Sequence, residues 1–402
     1  MSAYRTLRGA LSAALISGCG LDAKVLEPSP LASDAGAGDA SGNGGTGGSA
    51  GQAAVSALGT GEYHSCATRS GVASCWGANA LGQAVPAAGN PVLAPARVPA
   101  GAAISAVAPG ENHSCAIAGN QRVWCWGSND RGQLGRGGAA SAPAAGLVSL
   151  PARATALAAG SNHACSIVQD RSLWCWGDSA ESQLGFNAHD TFFAEPAQVG
   201  VDRDWISVSA GQGHTCGIRG SGRLLCWGRN TTGHLGIGAP APNFGAPQQV
   251  PGAEDWQSVS LAQDGTCGLR RDGSLWCWGD NHSGQLAGIG PASTVPARAA
   301  QESDWTLIDT GTFHSCGLRA SGRLFCWGRN VEGQLALGTR TPSEAVTAVE
   351  PEQVFSEVRV GRFHTCALRT DGRLLCAGKN DVAQCGLGHT DYSIATFSEV
   401  NP

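Results

Sequence analysis

Lysine is almost missing from this chain: two in 402 residues, Lys24 and Lys379, beside one methionine and three tyrosines. Charged residues make up only 14%, and the formal net charge is −5. A nucleic-acid footprint needs a clustered basic face, so no nucleic-acid partner is expected. No run approaches the ~18 consecutive apolar residues of a spanning helix, which argues against an integral helical membrane domain. The glycine-rich stretch 42–48 does not end in Gly-Lys-Ser/Thr and so is not a phosphate loop. Neither a nucleophile elbow nor a metal-binding histidine spacing is present. No catalytic residue, cofactor site or metal site is assigned.

Cysteine, glycine and tryptophan are plentiful instead, with 16, 59 and 12 copies. Two cysteines stand outside any regular pattern, and the first of them belongs to the N-terminal stretch. Residues 1–18 read as an export signal: Arg5 and Arg8, then an apolar stretch over 10–16. The stretch ends Ile16-Ser17-Gly18-Cys19, which resembles the lipobox of bacterial lipoproteins and marks Cys19 for lipidation. An ordinary secretory signal that happens to contain a cysteine is the alternative. Residues 27–54 are rich in Gly, Ala, Ser and Asp, so 19–54 is expected to be a flexible tether.

The other cysteines fall on a lattice. The first series is Cys66, Cys115, Cys165, Cys216, Cys267, Cys316 and Cys366, at steps of 49 to 51 residues. The second is Cys75, Cys125, Cys175, Cys226, Cys277, Cys326 and Cys376. Self-similarity at this period means a propeller, a solenoid or an array. Within a unit, two short strand-forming runs flank a glycine-containing turn, the pattern of a β-hairpin. A three-residue loop at Ala320-Ser321-Gly322 sets Cys316 opposite Cys326. The first unit is one residue shorter, and a two-residue Ser70-Gly71 loop again sets Cys66 opposite Cys75. The loop changes while the pairing is kept, as expected for seven cross-strand disulfides.

A metal reading competes with this one. Histidine precedes the first cysteine by two in six units: His64, His113, His163, His214, His314 and His364. Residues i and i+2 share a strand face, so a His and two Cys could cluster. Zinc sites commonly use closer ligand gaps and a fourth ligand, and Gly265 replaces the histidine in the fifth unit. A structural hydrogen-bonding role for the histidines is therefore expected. Cys385 stands where other units carry Leu134, Leu184, Leu235, Leu286 and Leu335, so a buried free thiol is expected there.

After Cys-Trp-Gly each unit runs toward Gly-Gln-Leu-Gly, often through an asparagine. The recurring pattern Gly-x-x-His-x-x-x-Leu/Ile…Gly-x-Leu-x-x-Trp-Gly-x-Asn-x-x-Gly-Gln-Leu-Gly resembles the repeat of the regulator of chromosome condensation family. The resemblance covers roughly residues 55–402. It implies an all-β fold: a seven-bladed β-propeller of four-stranded antiparallel blades, each of about 50 residues. The tryptophans after the second cysteine are expected to pack between blades. Both ends carry partial units, so residues 55–58 are expected to pair with a C-terminal strand near 396–400.

Function is read less directly. The family's founding member catalyses nucleotide exchange on a small nuclear GTPase and binds chromatin, but no exchange-active residue can be matched here. The expected role is a non-enzymatic interaction scaffold, exported and lipid-anchored to the cell envelope, at the outer membrane or cell surface. A monomer is expected, with an envelope or extracellular protein as partner. The variable stretches 84–100, 136–150, 186–199, 237–250 and 287–299 are the expected binding loops. The alternatives are an enzyme acting on an envelope polysaccharide or ester, or an adhesion component. Candidates for an enzyme are the non-repeated His189-Asp190, His234, His282 and His389-Thr390-Asp391. Adjacent strand residues point to opposite faces, which weakens a His189–Asp190 pair, and His234 stands where other units carry Gln.

Overall fold

The computed structural model describes residues 54–402, apart from 139, 188–190, 239, 241 and 242. The signal segment, the tether up to residue 53 and Cys19 lie outside the described residues. Seven antiparallel sheets of four strands follow one another in chain order. The blades span 55–97, 104–147, 154–198, 205–249, 256–298, 305–349 and 355–400. The first strand of each blade touches the first strand of the next, so these strands form the inner ring. The fourth strands are outermost and half-exposed.

The two hairpin designs give the same cysteine register. In blade 1, Arg69 pairs with Val72 around Ser70 and Gly71, both with positive φ. In blade 6, Leu318 pairs with Leu324 and Gly322 takes φ 76°. Cys66 thus faces Cys75 and Cys316 faces Cys326. All seven blades carry this cross-strand disulfide, each fully buried between the second and third strands.

Cores form at the seams between blades. One seam joins Cys165, Cys175 and Leu184 of blade 3 to Trp205, Val208 and Trp227 of blade 4. Gly236 of blade 4 lies against Trp278 of blade 5, where a Cβ would come within 2.6 Å of the indole nitrogen. Gly135, Gly185 and Gly386 meet Trp176, Trp227 and Trp76 in the same way. Small residues at these points let each indole lie flat on the preceding blade.

A polar network repeats beside the indoles. The residue just before the first cysteine of each pair is Ser or Thr in six blades, and its hydroxyl donates to a backbone carbonyl of the preceding blade. Examples are Ser114 to Gln83 (2.8 Å) and Thr365 to Gln334 (2.8 Å). The preceding blade's histidine contacts the same hydroxyl: His64–Ser114 2.7 Å, His163–Thr215 2.8 Å, His214–Thr266 3.2 Å and His314–Thr365 2.8 Å. A hydroxyl that already donates to a carbonyl must accept the Nε2–H, which fixes the tautomer. Burial keeps these rings neutral, holding His64, His163 and His314 at about 3 and His214 well below its ordinary value. His64, His163, His214 and His314 therefore act as structural donors.

Ring closure differs from the expectation. Residues 55–58 pair with the second strand of their own blade, and the strand Ser393–Val400 pairs within blade 7. All four strands of every blade come from contiguous chain, so no shared sheet is needed. The seam is closed by side chains: Ser65 meets His364 Nε2 (2.8 Å) and donates to Gln384 O (3.2 Å), while Trp76 Nε1 donates to the same carbonyl (3.0 Å). Buried charges reinforce this seam and the neighbouring seam of blades 6 and 7. Asp309 Oδ2 accepts from the Val360 N–H (2.6 Å), and Arg359 pairs with Glu357 (2.8 Å) and donates to Leu58 O (3.3 Å).

The expected binding loops also need correction. The later part of each is an outermost strand: Val92–Arg97, Ala142–Leu147, Phe192–Gln198, Asn243–Gln249 and Ala292–Arg298. Their Ala-, Pro- and Gly-rich composition reads as loop. An edge strand pairs on one side only, and here the ladder is also interrupted between Cys175 and Gly177 and at the equivalent places. Proline fits such strands, as at Pro95, Pro196, Pro247 and Pro296.

Candidate functional site: the axial end of the ring

The loops joining first to second strands and third to fourth strands emerge at one end of the ring. Each Gly-x-x-His loop there lies against the residue following Cys-Trp-Gly, or Cys376-Ala377-Gly378 in blade 7. The Ala78, Asp178, Arg229, Arg329 and Lys379 N–H groups donate to the carbonyls of Tyr63, Asn162, Gly213, Phe313 and Phe363. The third-to-fourth loops are built on the repeat asparagine and glutamine. Asn330 Oδ1 accepts from Leu335 N (2.9 Å) while its Nδ2 binds Thr339 O (3.0 Å), and Gln334 Oε1 accepts from Glu332 N (3.0 Å). A rigid frame thus presents the two variable residues of each Gly-x-x-His loop.

The first of those two residues gathers at the axis. Ser161 of blade 3 donates to Glu62 of blade 1 (3.0 Å), although blade 2 separates them along the ring. Arg362 of blade 7 donates to the other Glu62 oxygen (2.8 Å). Glu111 of blade 2 is partly buried beside Glu62; desolvation and that neighbouring charge push its carboxyl up to about 7.

The second variable residue gives an aromatic cluster on blades 1, 6 and 7. Phe313 and Phe363 stack with centroids 5.2 Å apart. The Arg362 guanidinium lies 5.4 to 5.9 Å from the rings of Tyr63, Phe313 and Phe363. Arg329 approaches both phenylalanines and Lys379 approaches Phe363. All three rings are half-exposed, and Leu81 and Val331 stand out at the rim with 43% and 46% exposure. Sequence reading missed this site. Its only signal is that the residue pair between the recurring Gly and His is different in every unit.

The other candidates do not converge on one place. His189 and Asp190 lie outside the described residues. His282 contacts Asp280, and His389 Nδ1 lies 3.2 Å from Asp391, both on exposed loops. His234 is buried beside His214, its Nδ1 contacting Thr232 Oγ1 (2.8 Å), and it occupies the glutamine position. Cys385 is buried and unpaired, and desolvation pushes its thiol up. A cleft of about 540 Å³ opens at the opposite end of the ring, at the seam of blades 7 and 1. There Arg369 and Arg373 lie against Asp371, and Arg373 also approaches Glu399.

The RCC1-like domain family matches residues 102–401, which is blades 2 to 7. The chain belongs to that family. Among relatives, human HERC3, named a probable E3 ubiquitin-protein ligase, is 32% identical over 83 residues, 20% of this chain and 8% of its own length. Mouse regulator of chromosome condensation is 30% identical over 96 residues, 23% of each chain. The chain thus spans under a quarter of each of these two relatives. The solved structure of Prp20p from Saccharomyces cerevisiae shares the fold with a TM-score of 0.73 at 22% identity, covering 82% of this chain and 85% of that one. An RCC1-like propeller is a frame for protein interaction, and the axial end is where this chain departs from its own repeat.

Proposed function

We propose that this propeller is a non-enzymatic scaffold that binds a protein partner through the axial end described above. The observation that carries this reading is the half-exposed cluster of Tyr63, Phe313 and Phe363 interleaved with Arg329 and Arg362. Aromatic and arginine side chains on a rigid, partly desolvated surface are the usual energetic centre of protein interfaces. The yeast relative Prp20p is described by its binding to Gsp1p and histones, which supports protein recognition as the use of the fold. Export, and anchoring of the scaffold to the cell envelope through a lipid on Cys19, complete the proposal. Seven short-loop disulfides suit an oxidising compartment.

A photo-crosslinking residue placed at Phe363 should give discrete protein adducts in intact cells, and one at Ser321, in the opposite-end hairpin, should not. Adducts from Ser321 alone, or from neither position, would overturn the binding reading. For the anchor, wild-type protein should carry a lipid mass at Cys19, and Cys19→Ser should release the chain from membranes. Wild-type protein lacking the lipid would refute it.

A further inference from the structure

The axial end is divided into two halves of different chemistry. Consider the two variable residues of each Gly-x-x-His loop, together with the residue after Cys-Trp-Gly and the pair after the repeat asparagine. On blades 6, 7 and 1 these positions carry Tyr63, Phe313 and Phe363 with Leu81, Val331 and Val382. The cations there are each balanced locally: Arg329 by Glu332, Arg362 by Glu62 and Lys379 by Asp381, all at 2.8 Å. That half is apolar, aromatic and close to neutral.

On blades 2 to 5 the same positions carry no aromatic ring other than His282. They hold six carboxylates, Glu111, Asp130, Asp178, Glu181, Asp264 and Asp280, against two arginines, Arg131 and Arg229. Arg229 is already committed to Asp264. Asp130 accepts hydrogen bonds from Ser128 and Gln133, and Asp178 from Gln183 and the Ala180 N–H, all neutral donors. Glu111 lies in no ion pair among the described residues; the Glu62 and Asp130 carboxylates act on it with like sign and Arg362, already paired with Glu62, acts with opposite sign.

We propose that this end takes a protein segment in which lysine or arginine side chains lie beside an aromatic or aliphatic one. This deepens the scaffold reading and rests on it. The apolar side chain would cover Phe313 and Phe363 on blades 6 and 7. The cationic residues would cross the axis toward Glu111, Asp130 and Glu181. A like-signed carboxylate arc disfavours acidic partners and accelerates the approach of basic ones. The aromatic half supplies the desolvated anchor that an exposed ion pair alone cannot give.

The test is selection of random twelve-residue peptides displayed on phage against the disulfide-intact full chain. Enriched sequences should carry two or more Lys or Arg next to Trp, Phe, Tyr or Leu. Phe363→Ala should weaken their binding at least tenfold. So should the double variant Asp130→Asn/Glu181→Gln, which removes two charges while keeping side-chain size and the Asp130 Oδ1 acceptor for Ser128 and Gln133, and raising the salt should weaken binding too. Acidic or purely apolar enriched peptides that still respond to Phe363→Ala would overturn the partner chemistry while leaving the face intact. Enriched peptides indifferent to both variants, or no enrichment at all, would overturn the use of this face as well.

Discussion

Ser65 and His364 are 299 residues apart in the chain, yet Ser65 Oγ lies 2.8 Å from His364 Nε2 across the seam of blades 1 and 7. The contact repeats the His64–Ser114 link inside the ring. The chain ends are therefore joined by the same bond that joins neighbours. Removing either hydroxyl leaves a buried imidazole N–H unpaired, at a cost of about 1–3 kcal/mol. Ser65→Ala and Ser114→Ala should lower urea stability by similar amounts. A much larger loss for Ser65→Ala would mean that the closing seam depends on this bond more than the internal seams do.

Two seams lack the link, for different reasons. Ala164 stands where six other blades have Ser or Thr, and His113 Nε2 is buried with no hydrogen-bond partner. Ala164→Ser supplies the missing acceptor and should stabilise the protein by about 1–2 kcal/mol. Gly265 instead replaces the histidine. A Cβ there would come within 2.9 Å of Leu286, and that seam already has Ser260 Oγ 2.7 Å from Thr310 Oγ1. Gly265→His should give no gain. Paired denaturation curves decide both; stabilisation by Gly265→His with none from Ala164→Ser would refute the account.

Legibility in the sequence followed periodicity. The cysteine lattice showed seven blades because a register error of one residue would put the thiols on opposite faces. The histidine role was half legible. Its strand position was readable, but its acceptor sits in the next unit, about 50 residues away, and only the ring brings the two together. The fourth strands were hidden because a bulged edge strand tolerates the prolines that usually signal loops. Ring closure was misread since partial units at both ends suggest a shared sheet, whereas each blade is contiguous. The axial cluster was invisible for the opposite reason. Tyr63, Phe313, Phe363 and Arg362 occupy positions where the repeat has no consensus, and pattern reading discards such positions.

Thiol counting should separate the buried cysteines. Cys385 is fully buried and its thiol is pushed up, so a thiol reagent should not label it in the native protein. Denaturant without reductant should expose Cys385 while the seven pairs stay closed, and reductant should then add fourteen thiols. Mass spectrometry after each step checks the series. Labelling of the repeat cysteines before reduction would contradict the disulfide pairing.

The buried histidines set the pH response. His64, His163, His234, His314 and His364 are held at about 3, His113 at about 4, and His214 well below its ordinary value, all chiefly by desolvation. Unfolded chains release these rings to an ordinary value near 6.5. Between that value and the folded one, the unfolded state binds more protons, so stability falls as pH drops and is fully present only above about 7. Each histidine contributes a slope approaching ~1.4 kcal/mol per pH unit well inside the window. Glu111 acts in the opposite sense. Its folded carboxyl is raised to about 7, so the folded state binds the extra proton between its unfolded value and 7, which favours folding as pH falls. Seven histidines outweigh one carboxyl, and the melting temperature should decline from pH 7 to pH 5. His364→Gln should start less stable yet show a shallower decline, by about one proton, because it no longer titrates. An unchanged slope in that variant would show that His364 is not held neutral in the folded ring.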